Sequence, residues 1–202
     1  MIKYLVSFKR RHPKIWSLVE SVNGGLFRLR YGKVEKVVES MLKGYSVAGC
    51  VFSAVTEQDL PGLGRFLARQ DGDNLKWFNP HDFDETTLKR LFRNPSFLMM
   101  KVTEGEGDGI VGYFFLRCFF IGRAFAGLVV DREWQNRGIG SKIWEAEASI
   151  CNRLRLRMRA TISLDNKPSI ASCRNGTDVQ ELERLGNRYM AVECKTKLYR
   201  VI

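Results

Sequence analysis

Residues 128–142 carry the most informative pattern in the chain. They read Leu-Val-Val-Asp-Arg-Glu-Trp-Gln-Asn-Arg-Gly-Ile-Gly-Ser-Lys, in which an apolar strand pattern gives way to a helical one across a short loop. The first amides of a helix have no acceptor within the helix, and they lie at the positive end of its dipole. Glycine at 138 and 140 removes the Cβ atoms that would hold an anion away from those amides. The pattern therefore predicts a strand, a loop and a helix whose N-terminus binds a pyrophosphate.

Helical and strand patterns alternate along the rest of the chain. The sequence predicts a strand at 51–55, helices at 56–69 and 83–92, strands at 97–102, 110–121 and 124–130, a helix at 138–152, a strand at 156–164, a helix at 167–174, and strands at 189–193 and 196–201. Strands that are followed by helices and by further strands indicate a mixed α/β domain.

Length and composition limit the number of domains and the cellular setting. A chain of 202 residues can build one good core and is short for two, so we expect a basic helical extension over residues 1–50 and one domain over residues 51–202. No apolar run approaches the roughly eighteen residues of a membrane-spanning helix. The five cysteines form no C-x-x-C pair, which predicts neither a disulfide framework nor a metal site and favours a cytoplasmic protein.

The first fifty residues hold most of the positive charge. Ten Lys or Arg and three Glu give this extension +7 of the net +11. We expect two amphipathic helices in it, one from Pro13 to Val22 that ends at Asn23-Gly24-Gly25, and one over Val34–Leu42. Basic and aromatic residues within 1–20 suggest peripheral contact with an anionic membrane, or attraction of a phosphorylated substrate. The alternative is that both apolar stripes are buried against the domain and the cations are solvated.

The pattern Gln135-x-x-Gly138-x-Gly140 resembles the coenzyme A loop of the GNAT acetyltransferases, and the resemblance extends over residues 51–202. It implies a GNAT fold, with a central, mostly antiparallel sheet flanked by helices. It also implies acetyl-CoA as cosubstrate and direct transfer of the acetyl group to a primary amine of an amino sugar, a protein N-terminus, a lysine or a small molecule. The residues expected to bind coenzyme A are Leu128, Val130, Gln135, Asn136, Arg137, Gly138, Ile139, Gly140, Ser141, Asn166 and Ser169.

The residues that move protons are less well marked by the sequence. The segment from Asn166 to Gly176 is similar to a family helix that carries a tyrosine, and this chain has Cys173 at that position. Cys173 and Tyr189 are the candidate general acids, although a lone cysteine on an apolar helix is also typical of a core residue. His81 is the candidate general base because it lies in an aromatic loop and histidine side chains ordinarily titrate near neutrality. Its alternative role is a helix cap.

Two other classes of function stay open at this level. The missing tyrosine is compatible with an acyl-CoA sensor or interaction module that binds without turnover. Nucleic-acid binding is disfavoured, because the aromatic residues of the extension fall on its apolar face and are not interleaved with the charges. A homodimer is compatible with the sequence.

Overall fold

The computed structural model describes residues 13–105, 107 and 109–197. In this part of the chain the strands form one sheet in the order β1-β2-β3-β4-β5-β6-β8-β7. They are β1 (Ser46–Val47), β2 (Cys50–Ala54), β3 (Phe97–Glu104), β4 (Ile110–Phe119), β5 (Arg123–Val130), β6 (Arg157–Ser163), β7 (Asp178–Leu185) and β8 (Tyr189–Lys195). Every neighbouring pair is antiparallel except β5 and β6, which are parallel.

The helices cover both faces of the sheet. They are α1 (Pro13–Tyr31), α2 (Glu35–Leu42), α3 (Leu60–Ala68), α4 (Gly72–Leu75), α5 (Glu85–Phe92), α6 (Ile139–Arg153) and α7 (Lys167–Gly176), with short 3-10 turns at Glu57–Asp59 and Arg132–Trp134. No helix of the described residues is both long enough and apolar enough to cross a membrane.

Alternation along the strands divides the interior into two cores. Leu98 and Met100 of β3 face a core that also contains the buried sides of α2, α6 and α7. Phe97 and Met99 face the other core, which is closed by α3, α5 and the loop residue Phe78. Successive strand residues point to opposite faces, so a strand that is buried on both sides reads as the continuous apolar run seen in β4.

The predicted fold class is confirmed, and most predicted elements are present within a few residues of their expected bounds. Two of the described strands, the two-residue β1 and the longer β7, were not predicted. Strand β7 lies at the edge of the sheet, most of its side chains are exposed, and its sequence Asp-Val-Gln-Glu-Leu-Glu-Arg-Leu is rich in charge. Charged, exposed edge strands are common because they discourage pairing with other chains. Such strands lack the clear alternation of apolar and polar residues by which a strand is predicted from sequence. The strand expected at 196–201 is not formed at Thr196 and Lys197, and residues 198–201 lie outside the described part.

The predicted end of the first helix at Asn23-Gly24-Gly25 is wrong, because α1 continues to Tyr31. Asn23 and Gly24 do not end the helix but contact the rest of the domain. The Asn23 amide donates to the Ser96 hydroxyl at 3.0 Å and to the Cys118 carbonyl at 2.9 Å. A Cβ on Gly24 would lie 2.7 Å from Asn94 Oδ1, so glycine allows the helix to approach the domain closely.

Candidate active site

The site begins where the two parallel strands separate. Strand β5 pairs with β6 only from Arg123 to Phe125, and beyond Phe125 the strands diverge. The Asp131 amide donates to the Val111 carbonyl of β4 at 2.8 Å, so the backbone groups of odd-numbered residues at this end of β5 face β4. The backbone groups of Leu128 and Val130 therefore face the gap. In the part of the chain that the structure describes, no strand pairs with them on that side.

A cavity of about 540 Å³ fills the gap and crosses the sheet. On one face it is bounded by the starts of α6 and α7, and on the other by α4 and the loop after it. Its lining residues include Asp73, Asn74, Trp77, Phe78, Gly127, Leu128, Val130, Arg132, Gln135, Asn136, Gly138, Gly140, Ser141, Trp144, Thr161, Ser163, Asn166, Ser169, Ser172 and Asn175. Two ligands can thus reach one point from opposite faces of the sheet.

The glycine loop presents unpaired amides at one end of this cavity. Gly138 is the N-cap of α6, with φ of 82°, a left-handed conformation that glycine adopts without strain. No side chain caps the helix, so the first-turn amides at Ile139, Gly140 and Ser141 have no acceptor from a capping group. Helix α6 has 15 residues, long enough for its dipole to favour an anion at this end.

Side chains hold the loop in place from the opposite face of the sheet. Gln135 Nε2 donates to Asn74 Oδ1 at 2.8 Å and to the Val130 carbonyl at 3.2 Å. Asn74 Nδ2 donates to the same carbonyl at 3.0 Å. The Val130 carbonyl is thus already engaged, which leaves the Leu128 backbone as the freer of the two pairing groups. Gln135 supports the loop besides lining the cavity.

Arg137 is exposed and is not among the lining residues. Its guanidinium stacks over the Trp134 ring with 4.5 Å between the guanidinium carbon and the ring centroid, and it donates to the Glu133 carbonyl at 3.1 Å. These contacts fix Arg137 on the outer side of the loop, where its charge adds to the positive potential near the entrance of the cavity.

Helix α7 supplies the other wall. Asn166 caps it by accepting a hydrogen bond from the Ser169 amide at 3.1 Å, and both residues line the cavity. A Cβ on Gly176 would overlap the Ser141 carbonyl and would lie 2.8 Å from Trp144 Cβ. Only glycine at this position lets α7 pack closely enough on α6 to form a continuous wall.

The structure does not bring His81 to this cavity. Its ring is 5% exposed and is surrounded by Phe83, Phe97, Tyr113 and Phe115. Nε2 lies 3.2 Å from the Tyr113 hydroxyl, and Nδ1 lies 2.8 Å from the Asp82 carbonyl. His81 also does not cap α5, since Asp84 accepts from the Thr87 amide there. The observed position is that of a hydrogen-bonded core residue.

Neither candidate acid lines the cavity. Cys173 is on the inner side of α7, 1% exposed, and its Sγ lies 3.6 Å from Cys194 Sγ and 3.7 Å from Thr177 Oγ1. Tyr189 is exposed at the start of β8, in register with Ser163. The three residues predicted to move protons are therefore not assembled at one point.

Several residues of the cavity were not predicted from the sequence. Asp73 and Trp77 bound the face opposite α6, while Thr161 and Ser172 contribute hydroxyl groups from β6 and α7. Asp71 caps α4, since its Oδ1 accepts a hydrogen bond from the Asn74 amide at 2.6 Å. An aspartate at this position is the local signal that a short helix starts there. The hydrogen bond from the Asn74 amide, and then that from Arg132, hold the pKa of Asp71 below its usual value.

Helix α6 also contains a fully buried carboxyl group. Glu147 of α6 is 0% exposed, and neither of its oxygens has a hydrogen-bond partner among the described residues. Burial raises the pKa of Glu147 well above its usual value, because removal from water disfavours the charged form. Within the described residues, no group of three or more His, Cys, Asp or Glu side chains is arranged to hold a metal ion.

Solved structures of GNAT proteins share the fold of this chain. The GNAT domain of S. lividans PAT is 14% identical with a TM-score of 0.61, over 71% of this chain and 89% of that one. The ribosomal-protein-S5-alanine acetyltransferase from Vibrio fischeri is 13% identical with a TM-score of 0.60, over 75% and 95%. The spermidine N-acetyltransferase from Vibrio cholerae, solved with CoA and spermine, is 16% identical with a TM-score of 0.57, over 73% and 94%.

The sequence itself identifies the family. A sequence model of the acetyltransferase (GNAT) family matches residues 63–176, which is more than half of the chain. The chain therefore belongs to the GNAT acetyltransferase family. No curated protein matches its sequence significantly.

Proposed function

We propose that this protein transfers the acetyl group of acetyl-CoA directly to a primary amine, and that both substrates meet in the cavity between β5 and β6. The observation that carries the proposal is the cavity itself. It joins a row of uncapped helix amides on one face of the sheet to a polar and aromatic pocket on the other. We take residues 51–202 as the catalytic domain and residues 1–50 as its extension, in a cytoplasmic enzyme.

Coenzyme A enters from the side of α6 and α7 in this proposal. Its pyrophosphate would accept hydrogen bonds from the amides of Ile139, Gly140 and Ser141, in the way anions bind at helix N-termini. Its pantetheine arm would pair with the Leu128 backbone, in place of the strand that has diverged. Asn166 and Ser169 offer polar groups along the same path. Family membership and the CoA-bound Vibrio cholerae neighbour support this assignment.

The amine enters from the opposite face. Asp73 places a carboxylate there, and Trp77 and Phe78 provide apolar and aromatic surface. This combination suits a cationic group on a carbon skeleton, since ammonium groups pair with carboxylates and lie favourably over aromatic rings. Amino sugars, peptide N-termini, lysines and polyamines all have this chemistry. The Vibrio cholerae neighbour is described with spermine.

The chemistry balances without a covalent enzyme intermediate. The bound ammonium first loses one proton. The neutral nitrogen then attacks the thioester carbonyl, a C–N bond forms, the C–S bond breaks, and the thiolate takes up a proton while the nitrogen loses a second one. A backbone amide near Leu128 would stabilise the negative charge on the carbonyl oxygen. Because His81, Cys173 and Tyr189 do not line the cavity, we propose that solvent and the cavity hydroxyls carry these protons.

One observation favours a second candidate. The absence of His81, Cys173 and Tyr189 from the cavity lining is also what a sensor that binds acyl-CoA without turnover would show. Thiol release from acetyl-CoA separates the two functions when the full chain is tested against amino sugars, peptides with free N-termini, lysine derivatives and polyamines. The five protein cysteines are all buried and should give little background. Release that depends on one acceptor class supports the enzyme. Tight acetyl-CoA binding by calorimetry with no release above the acceptor-free control supports the sensor.

A further inference from the structure

Helix α1 packs against the domain through its polar and small residues. Among residues 17–31, Phe27 has a fully buried apolar side chain in this contact. Asn23 bonds to the domain as described above, and Glu20 forms ion pairs with Arg90 at 2.7 Å and Arg117 at 3.8 Å. An amphipathic helix normally buries its apolar stripe and exposes its polar one. Between Ser17 and Leu29 of α1, the apolar side chains other than Phe27 are exposed, which reverses this arrangement.

The apolar stripe of α1 faces outward. Leu18 is 64% exposed, Val22 54% and Leu29 84%. Their spacing of four and seven residues places them on one face of the helix, and Val19 and Leu26 border the same face. By contrast, the stripe predicted on the second helix is buried as expected, with Val38 and Leu42 in the core.

The hairpin between β4 and β5 lies beside the end of α1 and adds to this surface. Arg30 Nη1 of α1 donates to the Phe120 carbonyl at 2.6 Å, and Phe120 and Ile121 are 40% and 53% exposed. We call the combined surface, made of Leu18, Val19, Val22, Leu26, Leu29, Phe120 and Ile121, the α1 patch. Groups of exposed apolar side chains on one surface commonly mark a site of interaction with another surface.

The charges around the α1 patch indicate what covers it. Glu20 is the only acidic residue of α1, and its side chain is turned toward the domain and paired there. Arg28 and Arg30 lie on either side of the stripe, and both are exposed. In the sequence, Lys9, Arg10, Arg11 and Lys14 come just before or at the start of the helix. The surface therefore suits a partner that is both apolar and negatively charged.

A second copy of the chain fits this surface poorly. A two-fold interface brings the same patch of both copies together, so Arg28 and Arg30 of each copy would approach like charges with no acid of α1 between them. An anionic bilayer offers hydrocarbon for the stripe and lipid phosphates for the flanking cations. Helices with these two features lie in the plane of the bilayer interface and do not cross it.

We propose that the α1 patch docks on the surface of an anionic membrane, with the leucine and valine side chains inserted at the level of the headgroups. The α1 patch lies outside the cavity between β5 and β6, so the inference does not depend on the proposed acetyl transfer. It gives the protein a peripheral, reversible attachment that weakens as salt concentration rises.

The test is vesicle co-sedimentation of the full chain, with vesicles of phosphatidylglycerol in phosphatidylcholine compared with phosphatidylcholine alone. We expect binding to the anionic vesicles that is lost at high salt. The double variant Leu18→Gln/Leu29→Gln should bind at least tenfold more weakly, because each leucine that leaves water favours partitioning by about tenfold. Arg28→Gln should weaken binding about fivefold. The matched control is Leu182→Gln, an exposed leucine at the sheet edge, which should bind like the parent.

Three outcomes would overturn the proposal. The first is a parent chain that does not prefer anionic vesicles. The second is a double variant that binds like the Leu182→Gln control, which would assign any attachment to residues 1–12 or to unspecific charge. The third is a parent that is dimeric by light scattering and does not bind vesicles, with a monomeric double variant, which would make the patch a dimer interface. Because both leucines are exposed, the double variant should fold, and circular dichroism checks this.

Discussion

Replacing Gly140 by aspartate should separate folding from ligand binding in a single variant. Gly140 is the second residue of α6, and a Cβ there would lie 3.4 Å from Ser172 Cβ and 3.5 Å from its hydroxyl, which is ordinary contact. Replacing a helical glycine and adding a negative charge at a helix N-terminus both stabilise, together by about 0.5–1 kcal/mol. For a chain of this size the melting temperature should rise by about 2 °C.

The same carboxylate should oppose coenzyme A strongly. It would lie beside the amides that we assign to the pyrophosphate, and two unit charges about 4 Å apart repel by about 4 kcal/mol at an effective dielectric of 20. Allowing for the open side of the cavity, we expect at least a hundredfold loss of affinity. Calorimetry with coenzyme A measures this, and Gly140→Asn is the matched control of equal size without charge.

The asparagine variant should lose less than tenfold in affinity. If the aspartate variant is folded and binds coenzyme A like the parent, the assignment of the glycine loop to the pyrophosphate is wrong. If both variants lose affinity equally, size and not charge is responsible, and the electrostatic reasoning fails.

Three further substitutions test the surroundings of the cavity. Gly176→Ala should lower the free energy of unfolding by about 1–3 kcal/mol, because the new Cβ overlaps the Ser141 carbonyl. Denaturant unfolding measures this, and an unchanged free energy of unfolding would refute the close contact between α6 and α7. His81→Gln should lower the free energy of unfolding by about 1–3 kcal/mol and leave the pH profile of turnover unchanged. A loss of turnover confined to acidic and neutral pH would instead support His81 as the general base. Because the pKa of Glu147 is raised in the folded chain, the free energy of unfolding of the parent should fall as pH rises above the usual pKa of a glutamate, by up to about 1.4 kcal/mol per pH unit. Glu147→Gln should therefore be more stable than the parent at pH 8. The difference in free energy of unfolding between the two should shrink toward pH 4.

The glycine loop could be predicted from sequence because its information is local. A strand end, a left-handed glycine and a helix start follow one another within fifteen residues, and each has its own residue preference. Gly138 adopts the left-handed conformation that this pattern requires. The support that Gln135 receives from Asn74 could not be predicted, because the two residues are 61 positions apart and meet only in the folded chain.

The position of His81 in the fold could not be predicted from sequence for a physical reason. An aromatic loop can direct a histidine into the cavity or into the core with the same residues, and here the Tyr113 hydroxyl and the surrounding rings hold it in the core. The face of helix α1 that is buried could not be predicted from sequence either. Its apolar stripe was recognised, but the face that a helix buries is decided by its partners, and Asn23, Gly24 and Glu20 match the domain better than the leucines do.

The most direct test of the account is a crystal structure of the full chain with coenzyme A. We expect the pyrophosphate on the amides of Ile139, Gly140 and Ser141, and the pantetheine arm in the gap between β5 and β6, alongside Leu128. Coenzyme A bound elsewhere on the molecule, or the gap left open while the protein is saturated with the ligand, would contradict the account.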